Sequence, residues 1–265
     1  MSAELGLQAR INDNRLLIGT SNYWEKDAQG KYYQNFGYAQ SEVQPHIKGR
    51  ENVVIIPYAS GTKSQSPSSV AELYSSWGAK SIYNLYDHPG DEVRVIEQAA
   101  ALHATGGNTI TLNQKMLEGE GEIADAIRRK IAESTPWVGV SAGLLAMTDE
   151  IGYAADPEED EHRRDSRGRV ITTGLNVLPR HIKLMPHLAD KDLPETVYKN
   201  LEEYPDSIVI GLNDYSLLVT EGRSMRTAGQ AEVVLFERGQ EPQRFEPGSD
   251  VSHLLVPRQK TSLYL

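Results

Sequence analysis

The strongest constraint on the fold of this chain is an alternation of strand-like and helix-like segments through its first two-thirds. Short runs rich in β-branched residues, such as 52–60, end in small or turn-forming residues, which is typical of buried strands. The stretches between these runs carry apolar residues at helical spacing. The predicted strands are 15–22, 52–60, 80–87, 101–107 and 136–143, and the predicted helices are about 66–78, 91–101, 109–118 and 119–133.

This alternation predicts an α/β fold with a mostly parallel central sheet flanked by helices on both faces, because parallel strands need crossover connections between them. In open sheets of this type, ligands bind outside the carboxyl ends of the strands. Ser141 and the pair Gly106-Gly107 both fall at such ends. We therefore expect a functional site at this edge of the sheet.

The chain after Met147 has a different pattern. Residues 156–169 form a dense run of charges, which is typical of a solvated loop. No repeat or low-complexity linker divides the sequence, so residues 1–265 are predicted to form a single domain with a strand-rich C-terminal part. The elements predicted there are strands at 180–188 and 231–239, a helix at 193–205 and a hairpin at 207–222.

Composition excludes several classes of function. The chain has no cysteine, which excludes disulfides, thiolate metal sites and a thiol nucleophile. Its net charge of −10 argues against nucleic-acid binding, which needs a basic face. No apolar run approaches the ~20 residues that cross a bilayer, and the first residues lack the apolar stretch of a signal peptide. We therefore expect a cytoplasmic protein that binds neither nucleic acid nor membrane.

The sequence Gly139-Val140-Ser141-Ala142-Gly143 interrupts an apolar run at a predicted strand-to-helix turn. A serine between glycines at such a turn is the pattern of a nucleophile elbow, in which the glycines permit a strained backbone and close approach of a substrate. The alternative is that Ser141 only caps the following helix. A serine nucleophile needs a base, an acid and oxyanion donors, so its partners decide between these interpretations.

Histidine is the usual base, and His187 is the preferred candidate because it ends the predicted strand 180–188, where a side chain reaches the mouth of a site. His181 is expected on the same face of that strand. His103 lies within a predicted buried strand and is expected to be a packed core residue. The seven histidines of the chain are His46, His88, His103, His162, His181, His187 and His253.

Asp214 is the candidate acid. It lies in the turn of the predicted hairpin 207–222, where turn chemistry alone also explains an Asn-Asp pair. The order Ser141, Asp214, His253 matches that of an α/β-hydrolase esterase, which is therefore an alternative reading. The absence of an HGGG-type oxyanion motif from the sequence argues against it.

Taken together, five segments resemble in order the family of serine peptidases that contains aspartyl dipeptidase (peptidase E) and cyanophycinase. The resemblance implies a class I glutamine-amidotransferase-like α/β fold. Amidotransferases of that class carry cysteine at the elbow, which this chain lacks, so thiolate glutaminase chemistry is excluded. The segments are 55–60, 105–116, 139–147, 174–188 and 209–219.

The resemblance also implies roles for individual residues. Ser141 matches the nucleophile and His187 the general base. Asp214 falls where the peptidase E branch usually has glutamate, and its side chain is one methylene shorter. The backbone N–H groups of Gly107 and Ala142 match the oxyanion hole.

The implied reaction is acyl transfer to water through an acyl-enzyme, without a metal or organic cofactor. The implied substrate is a small peptide, with dipeptides that begin with aspartate as the family's preference, and Asn108 and Thr109 lie close to it. The family binds the aspartate carboxylate with an arginine shortly after the base histidine. Residues 189–205 offer only Lys191 and Lys199, and lysine lacks the bidentate geometry of arginine.

These departures at Asp214 and at the expected arginine leave a further alternative, a non-catalytic binding protein with the same fold. The oligomeric expectation is a monomer or a homodimer.

Overall fold

The computed structural model describes residues 15–21, 24–26, 32–34, 36–60, 66–151, 173–188, 197–198 and 201–257. The charge run 156–169 lies outside these ranges, as does part of the predicted helix 193–205. The described residues of that segment include 197–198 and 201–203, which are helical. Nowhere in the described part of the chain is a helix long and apolar enough to cross a membrane.

The strands are β1 (Leu16–Thr20), β2 (Trp24–Lys26), β3 (Tyr32–Gln34), β4 (Val53–Ile56), β5 (Ile82–Asn84), β6 (Ala101–Ala104), β7 (Trp137–Val140), β8 (Ile182–Met185), β9 (Ile208–Leu212), β10 (Ser216–Glu221), β11 (Ser224–Gly229), β12 (Val233–Glu237) and β13 (Gln243–Phe245). The helices with described bounds are α1 (Gln40–Ile47), α2 (Ser66–Ser76), α3 (Glu92–Glu97), α4 (Thr109–Leu117), α5 (Glu122–Ala132) and α6 (Ala142–Leu145).

The central sheet has seven strands in the order β11-β10-β1-β7-β6-β4-β5. The five neighbouring strands β1, β7, β6, β4 and β5 are parallel to one another. At one edge, β10 is antiparallel to β1, and β11 is antiparallel to β10. Helix α2 connects β4 to β5, α3 connects β5 to β6, and α4 and α5 connect β6 to β7. The predicted mostly parallel α/β architecture is confirmed. The predicted strands 52–60 and 80–87 are shorter than expected, since each ends in a 3₁₀ turn.

The two faces of the central sheet bury different sets of side chains, because successive residues of a strand point to opposite faces. On one face, Val53 belongs to a buried cluster that includes Val43 of α1 and Tyr74 of α2. On the other face, Val54 belongs to a larger cluster that includes Ile127 of α5 and the inner residues of a second sheet. Helices therefore cover both faces, as the alternation predicts.

The second sheet accounts for the strand-rich C-terminal part and has the order β13-β12-β9-β8. Strand β9 pairs with β8 and β12, whereas β10 pairs with β1 and β11. The prediction of a hairpin at 207–222 is therefore wrong, because its two strands diverge into different sheets at residues 213–215. Two apolar runs around a turn have the same local sequence pattern in a hairpin and in a connection between two sheets. The strands with which each run pairs determine which of the two forms.

Candidate active site

Ser141 lies at the strand-to-helix turn between β7 and α6. Its backbone has φ 47° and ψ −101°, a conformation that non-glycine residues rarely adopt. Its N–H donates to the carbonyl oxygen of Thr20 at 2.9 Å, which ties the turn to β1. The Ser141 side chain makes no capping hydrogen bond to α6, so the capping interpretation of this serine is wrong.

Two glycines make this turn possible. A Cβ atom added at Gly139 would lie 2.3 Å from the carbonyl oxygen of Gly143, and one added at Gly143 would lie 2.4 Å from the carbonyl oxygen of Ala104. Real Cβ atoms do not approach backbone atoms so closely. The start of α6 therefore packs directly on β6 and β7, which holds the serine at the carboxyl edge of the sheet.

His187 brings its imidazole to this serine. Its Nε2 atom lies 3.0 Å from Ser141 Oγ, although the two residues come from different sheets. Strand β8 ends two residues earlier, and His187 itself has φ +58°. The next N–H, that of Leu188, donates to the carbonyl oxygen of Leu212 at 3.1 Å and anchors the segment to β9. The imidazole is therefore directed toward Ser141 by the left-handed backbone conformation of His187, and not by the alternation of side chains along β8.

Asp214 lies on the other side of the same imidazole. Its Oδ1 atom is 3.3 Å from His187 Nδ1, and both side chains are 34% exposed. Asp214 occupies the crossing between β9 and β10, where the chain passes from one sheet to the other. The crossing is held by Ser216, whose N–H and hydroxyl both donate to the carbonyl oxygen of Asn213.

Ser21 contacts both His187 and Asp214, and sequence reasoning missed it. It directly follows β1, is fully buried, and its Oγ lies 3.1 Å from Asp214 Oδ1 and 3.3 Å from His187 Nδ1. The backbone N–H of His187 also donates to this oxygen at 2.6 Å. A serine at the end of a strand matches no motif; the available signal was its place at the carboxyl edge beside the elbow.

The loop Gly106-Gly107 lies against the nucleophile. A Cβ atom added at Gly106 would be 3.2 Å from the Cβ of Ser141. Gly107 has φ +133°, and a Cβ there would be 2.2 Å from the carbonyl oxygen of Ala59, so only glycine fits. The N–H of Asn108 donates to that same carbonyl at 2.9 Å. The loop is thus clamped between the turn after β4 and the elbow.

Ser60 fixes the orientation of this loop. Its Oγ lies 3.0 Å from the carbonyl oxygen of Gly106 and 2.7 Å from Thr105 Oγ1. The Gly106 carbonyl and the Gly107 N–H belong to one planar peptide group and point in opposite directions. A hydrogen bond that holds the carbonyl therefore also sets the direction of the N–H.

The remaining predicted site residues lie at two helix starts. Ala142 is the first residue of α6 and is fully buried. Asn108 is the N-cap of α4, and its Oδ1 accepts from the N–H of Thr111 at 2.6 Å. Thr109 is the first residue of α4 and is only 4% exposed. Asn108 therefore has a structural role, and substrate contact by Asn108 and Thr109 stays a prediction.

Three other histidines lie away from the serine. His253 is exposed in a 3₁₀ turn against β11, and two strands separate β11 from β7. The set Ser141, Asp214, His253 is therefore not brought together. His181 precedes β8 and its Nε2 lies 2.9 Å from the carbonyl oxygen of Leu254, so the prediction that it shares a strand face with His187 is wrong.

His103 is a packed core residue, as predicted. It is buried in β6, and its Nδ1 lies 2.7 Å from the hydroxyl of Tyr74. Burial lowers its pKa to about 3, so the ring stays neutral at ordinary pH.

Two relatives found by sequence are peptidase E proteins. The chain is 27% identical over 234 residues to peptidase E of Nostoc sp. strain PCC 7120, covering 82% of this chain and 89% of that protein. It is 26% identical over 229 residues to peptidase E of Shewanella sp. strain MR-4, covering 80% of this chain and 89% of that protein.

Solved structures share the fold. A peptidase from an acI-B1 Actinobacterium has a TM-score of 0.62 at 18% identity, covering 90% of this chain and 96% of that one. A putative peptidase E protein from Listeria monocytogenes EGD-e has a TM-score of 0.59 at 18% identity, covering 82% of this chain and all of the other. These likenesses support the class I glutamine-amidotransferase-like architecture.

A family match defines the class of the protein, a serine-type peptidase. Peptidase family S51 matches residues 27–228, more than half of the sequence. The chain belongs to peptidase family S51.

Proposed function

We propose that this peptidase hydrolyses short peptides, among them dipeptides with N-terminal aspartate, with Ser141 as nucleophile, His187 as general base and Asp214 as the acid that orients the base. The observation that carries the proposal is the 3.0 Å contact between Ser141 Oγ and His187 Nε2 at a strained turn. The hydroxyl serves no capping function there, and hydrogen-bond reach to a base is what activates a serine.

In the first half of the reaction, His187 Nε2 takes the proton of Ser141 as Oγ bonds to the carbonyl carbon of the peptide. The carbonyl oxygen becomes an oxyanion, for which the N–H groups of Gly107 and Ala142 are the proposed donors. When the carbon–nitrogen bond breaks, the imidazolium returns its proton to the leaving amine. An acyl-enzyme on Ser141 remains.

In the second half, water attacks the acyl carbon and gives its proton to His187 Nε2. The second tetrahedral intermediate then expels Ser141 Oγ, which takes the proton back. Asp214 stabilises the imidazolium in both halves, because its Oδ1 faces Nδ1 at 3.3 Å. A carboxylate one methylene shorter than glutamate is thus within reach of the ring.

The preference for N-terminal aspartate is supported by the likeness to peptidase E and requires a cation that faces the substrate carboxylate. Lys191 and Lys199 follow His187 in the sequence, and the charge run offers further candidates that could fold over the site. All of these residues lie outside the described part of the chain, the further candidates being Arg163, Arg164, Arg167 and Arg169. A lysine forms a point-charge contact instead of a bidentate one. With a lysine as the cation, we therefore expect a preference for aspartate over asparagine that is smaller than an arginine would give.

The test is hydrolysis of Asp-X, Glu-X, Asn-X and N-blocked Asp-X dipeptides by the full chain. Ser141→Ala and His187→Ala are expected to lower kcat by about 10⁴-fold or more, because each removes a group that acts in the chemical step. His253→Ala is the matched control and is expected to retain the activity of the wild type.

Two results would contradict the proposal. Loss of activity in the His253 variant together with a fully active His187 variant would favour the esterase arrangement. Hydrolysis of Asn-X as fast as Asp-X would remove the aspartate preference while leaving the peptidase activity intact.

A further inference from the structure

The Ser21 hydroxyl faces three polar atoms, one of which is a backbone N–H donor. Within 3.3 Å of its Oγ lie the backbone nitrogen of His187, the Nδ1 atom of the same residue and Oδ1 of Asp214. The side chain is fully buried, so bulk water does not take the place of these contacts. Which atom donates and which accepts therefore determines where the protons of the imidazole lie.

The numbers of donors and acceptors determine the direction of each hydrogen bond of Ser21. A serine hydroxyl has one proton and two lone pairs, and an ionised carboxylate only accepts. Ser21 therefore donates its proton to Asp214 Oδ1 and accepts the N–H of His187 with one lone pair. The second lone pair of Ser21 Oγ faces Nδ1. It can accept a hydrogen bond from that nitrogen only when the nitrogen carries a proton.

The neutral imidazole has a single ring proton. If that proton lies on Nδ1, Nε2 has a free lone pair, and it is Nε2 that lies 3.0 Å from Ser141 Oγ. The other tautomer would place a proton between Nε2 and the serine that must be deprotonated. It would also leave Nδ1 facing a carboxylate oxygen and a hydroxyl that has already donated its proton.

Asp214 alone holds this tautomer weakly. The distance from Nδ1 to Asp214 Oδ1 is 3.3 Å, just beyond the usual range of about 2.7–3.2 Å for hydrogen bonds from nitrogen, and Ser21 Oγ lies at the same distance. A proton on Nδ1 would therefore face both oxygens. Ser21 also accepts the N–H of His187, whose φ of +58° needs support from its surroundings.

We propose that Ser21 is a positioning residue that selects the Nδ1–H tautomer of His187 and holds the strained backbone of that histidine toward the nucleophile. The inference rests on the proposed function for its catalytic consequence, but the tautomer itself is a property of the resting protein. In this role Ser21 acts through His187 and Asp214, which its hydroxyl contacts.

The first readout is the tautomer of His187, measured by long-range ¹H–¹⁵N correlation spectra of the uniformly labelled full chain at neutral pH. The wild type is expected to show the proton on Nδ1. Ser21→Ala, which removes only the hydroxyl, is expected to shift the ring to a mixture with a substantial Nε2–H population. An unchanged His187 spectrum in this variant would overturn the proposal.

The matched control is Thr20→Val. Thr20 is a buried hydroxyl one residue earlier in β1, within hydrogen-bond distance of the Tyr38 hydroxyl at 2.5 Å and the Ser216 carbonyl oxygen at 3.0 Å. This variant is expected to keep the wild-type tautomer. If it shifted the tautomer as far as the Ser21 variant does, the effect would be one of general packing and the inference would fail.

The second readout is the split between kcat and KM on the dipeptide panel. Ser21→Ala is expected to lower kcat by about 10- to 100-fold, the scale of a misplaced catalytic group, with KM within about twofold of the wild type. Ser21→Thr, which restores a hydroxyl, is expected to recover most of kcat. If the added methyl group of the threonine prevents folding, the His187 tautomer measured in Ser21→Ala is sufficient to test the proposal.

The two proposals fail in different ways. If the wild type cleaves no peptide, the proposed function fails and the tautomer spectra still test Ser21. If Ser141→Ala abolishes activity while Ser21→Ala keeps both the tautomer and kcat of the wild type, only the inference about Ser21 fails.

Discussion

The two halves of the candidate site are built by different means. The nucleophile half consists of Ser141 with the elbow glycines and the loop Gly106-Gly107, and all of it lies on neighbouring parallel strands of one sheet. The base half consists of His187 and Asp214, which lie on connections at the ends of β8 and β9 and reach the serine from the second sheet.

The difference shows in what holds each half. Around the nucleophile, backbone atoms lie so close that a methyl group at Gly107, Gly139 or Gly143 would come within 2.2–2.4 Å of a carbonyl oxygen. In the base half, the imidazole contacts Ser141 Oγ and Asp214 Oδ1 at 3.0 and 3.3 Å, and the side chains of His187 and Asp214 are each one-third exposed. We therefore expect the first half to tolerate a change of size poorly, and the second to tolerate an exchange of side chains that keeps the charge.

The largest expected effect tests the base half. Asp214→Asn is expected to lower kcat by about 10⁴-fold, because a neutral amide neither stabilises the imidazolium nor favours the Nδ1–H tautomer. Asp214→Glu is expected to retain far more activity, since it keeps the carboxylate at a partly exposed position. Steady-state kinetics on an Asp-X dipeptide measures both variants. Equal activities would contradict the expectation that the charge at position 214 matters more than the size of the side chain.

The next effect tests the nucleophile half. Gly143→Ala is expected to lower the free energy of unfolding by about 3 kcal/mol, because its methyl group overpacks the backbone of β6. The control is Gly90→Ala, where φ is +85° but nothing lies within 4 Å, and backbone strain alone costs about 1–2 kcal/mol. Urea unfolding followed by circular dichroism measures both. Equal losses would mean that the elbow is less tightly packed than the distances indicate.

The smallest predicted effect concerns the loop Gly106-Gly107 in the nucleophile half. Ser60→Ala is expected to lower kcat by about tenfold with little change in KM, because the Gly107 N–H loses its orientation but not its presence. Complete loss of an oxyanion donor costs more, about 10²–10³-fold. Ser76→Ala is the control, since this exposed serine hydrogen-bonds only locally, to the Leu73 carbonyl oxygen. A Ser60 variant as active as this control would show that the loop holds its own shape.

This division also explains which parts of the molecule could be predicted from the sequence. The alternation of segments predicted the parallel sheet and its helices, because each element carries its own period and its own turn residues. The hairpin at 207–222 failed because the pairing of β9 and β10 depends on β12 and β1, which lie far away in the chain. Local pattern carries no information on that choice.

The same holds within the candidate site. Ser141 was predicted from a short stretch of backbone with glycines at fixed offsets, whereas the role of Gly107 came from the family resemblance. His187 was preferred from its place at the end of a predicted strand and Asp214 was a candidate from its place in a predicted turn, and the family resemblance then assigned both their roles. Ser21 was missed entirely, because its role arises where β1 meets two connections from elsewhere in the chain.

Strand β1 has a consequence for biosynthesis. It lies in the middle of the central sheet, where Leu17 pairs with Trp137 on one side and with Thr220 on the other. It gains its first neighbour, β7, only after more than one hundred further residues and its second, β10, only after some two hundred, on the order of 10 to 40 s of synthesis at about 5–20 residues per second. The strand that precedes Ser21 therefore keeps one edge unpaired until β10 has been synthesised, and we expect the central sheet to be completed only then.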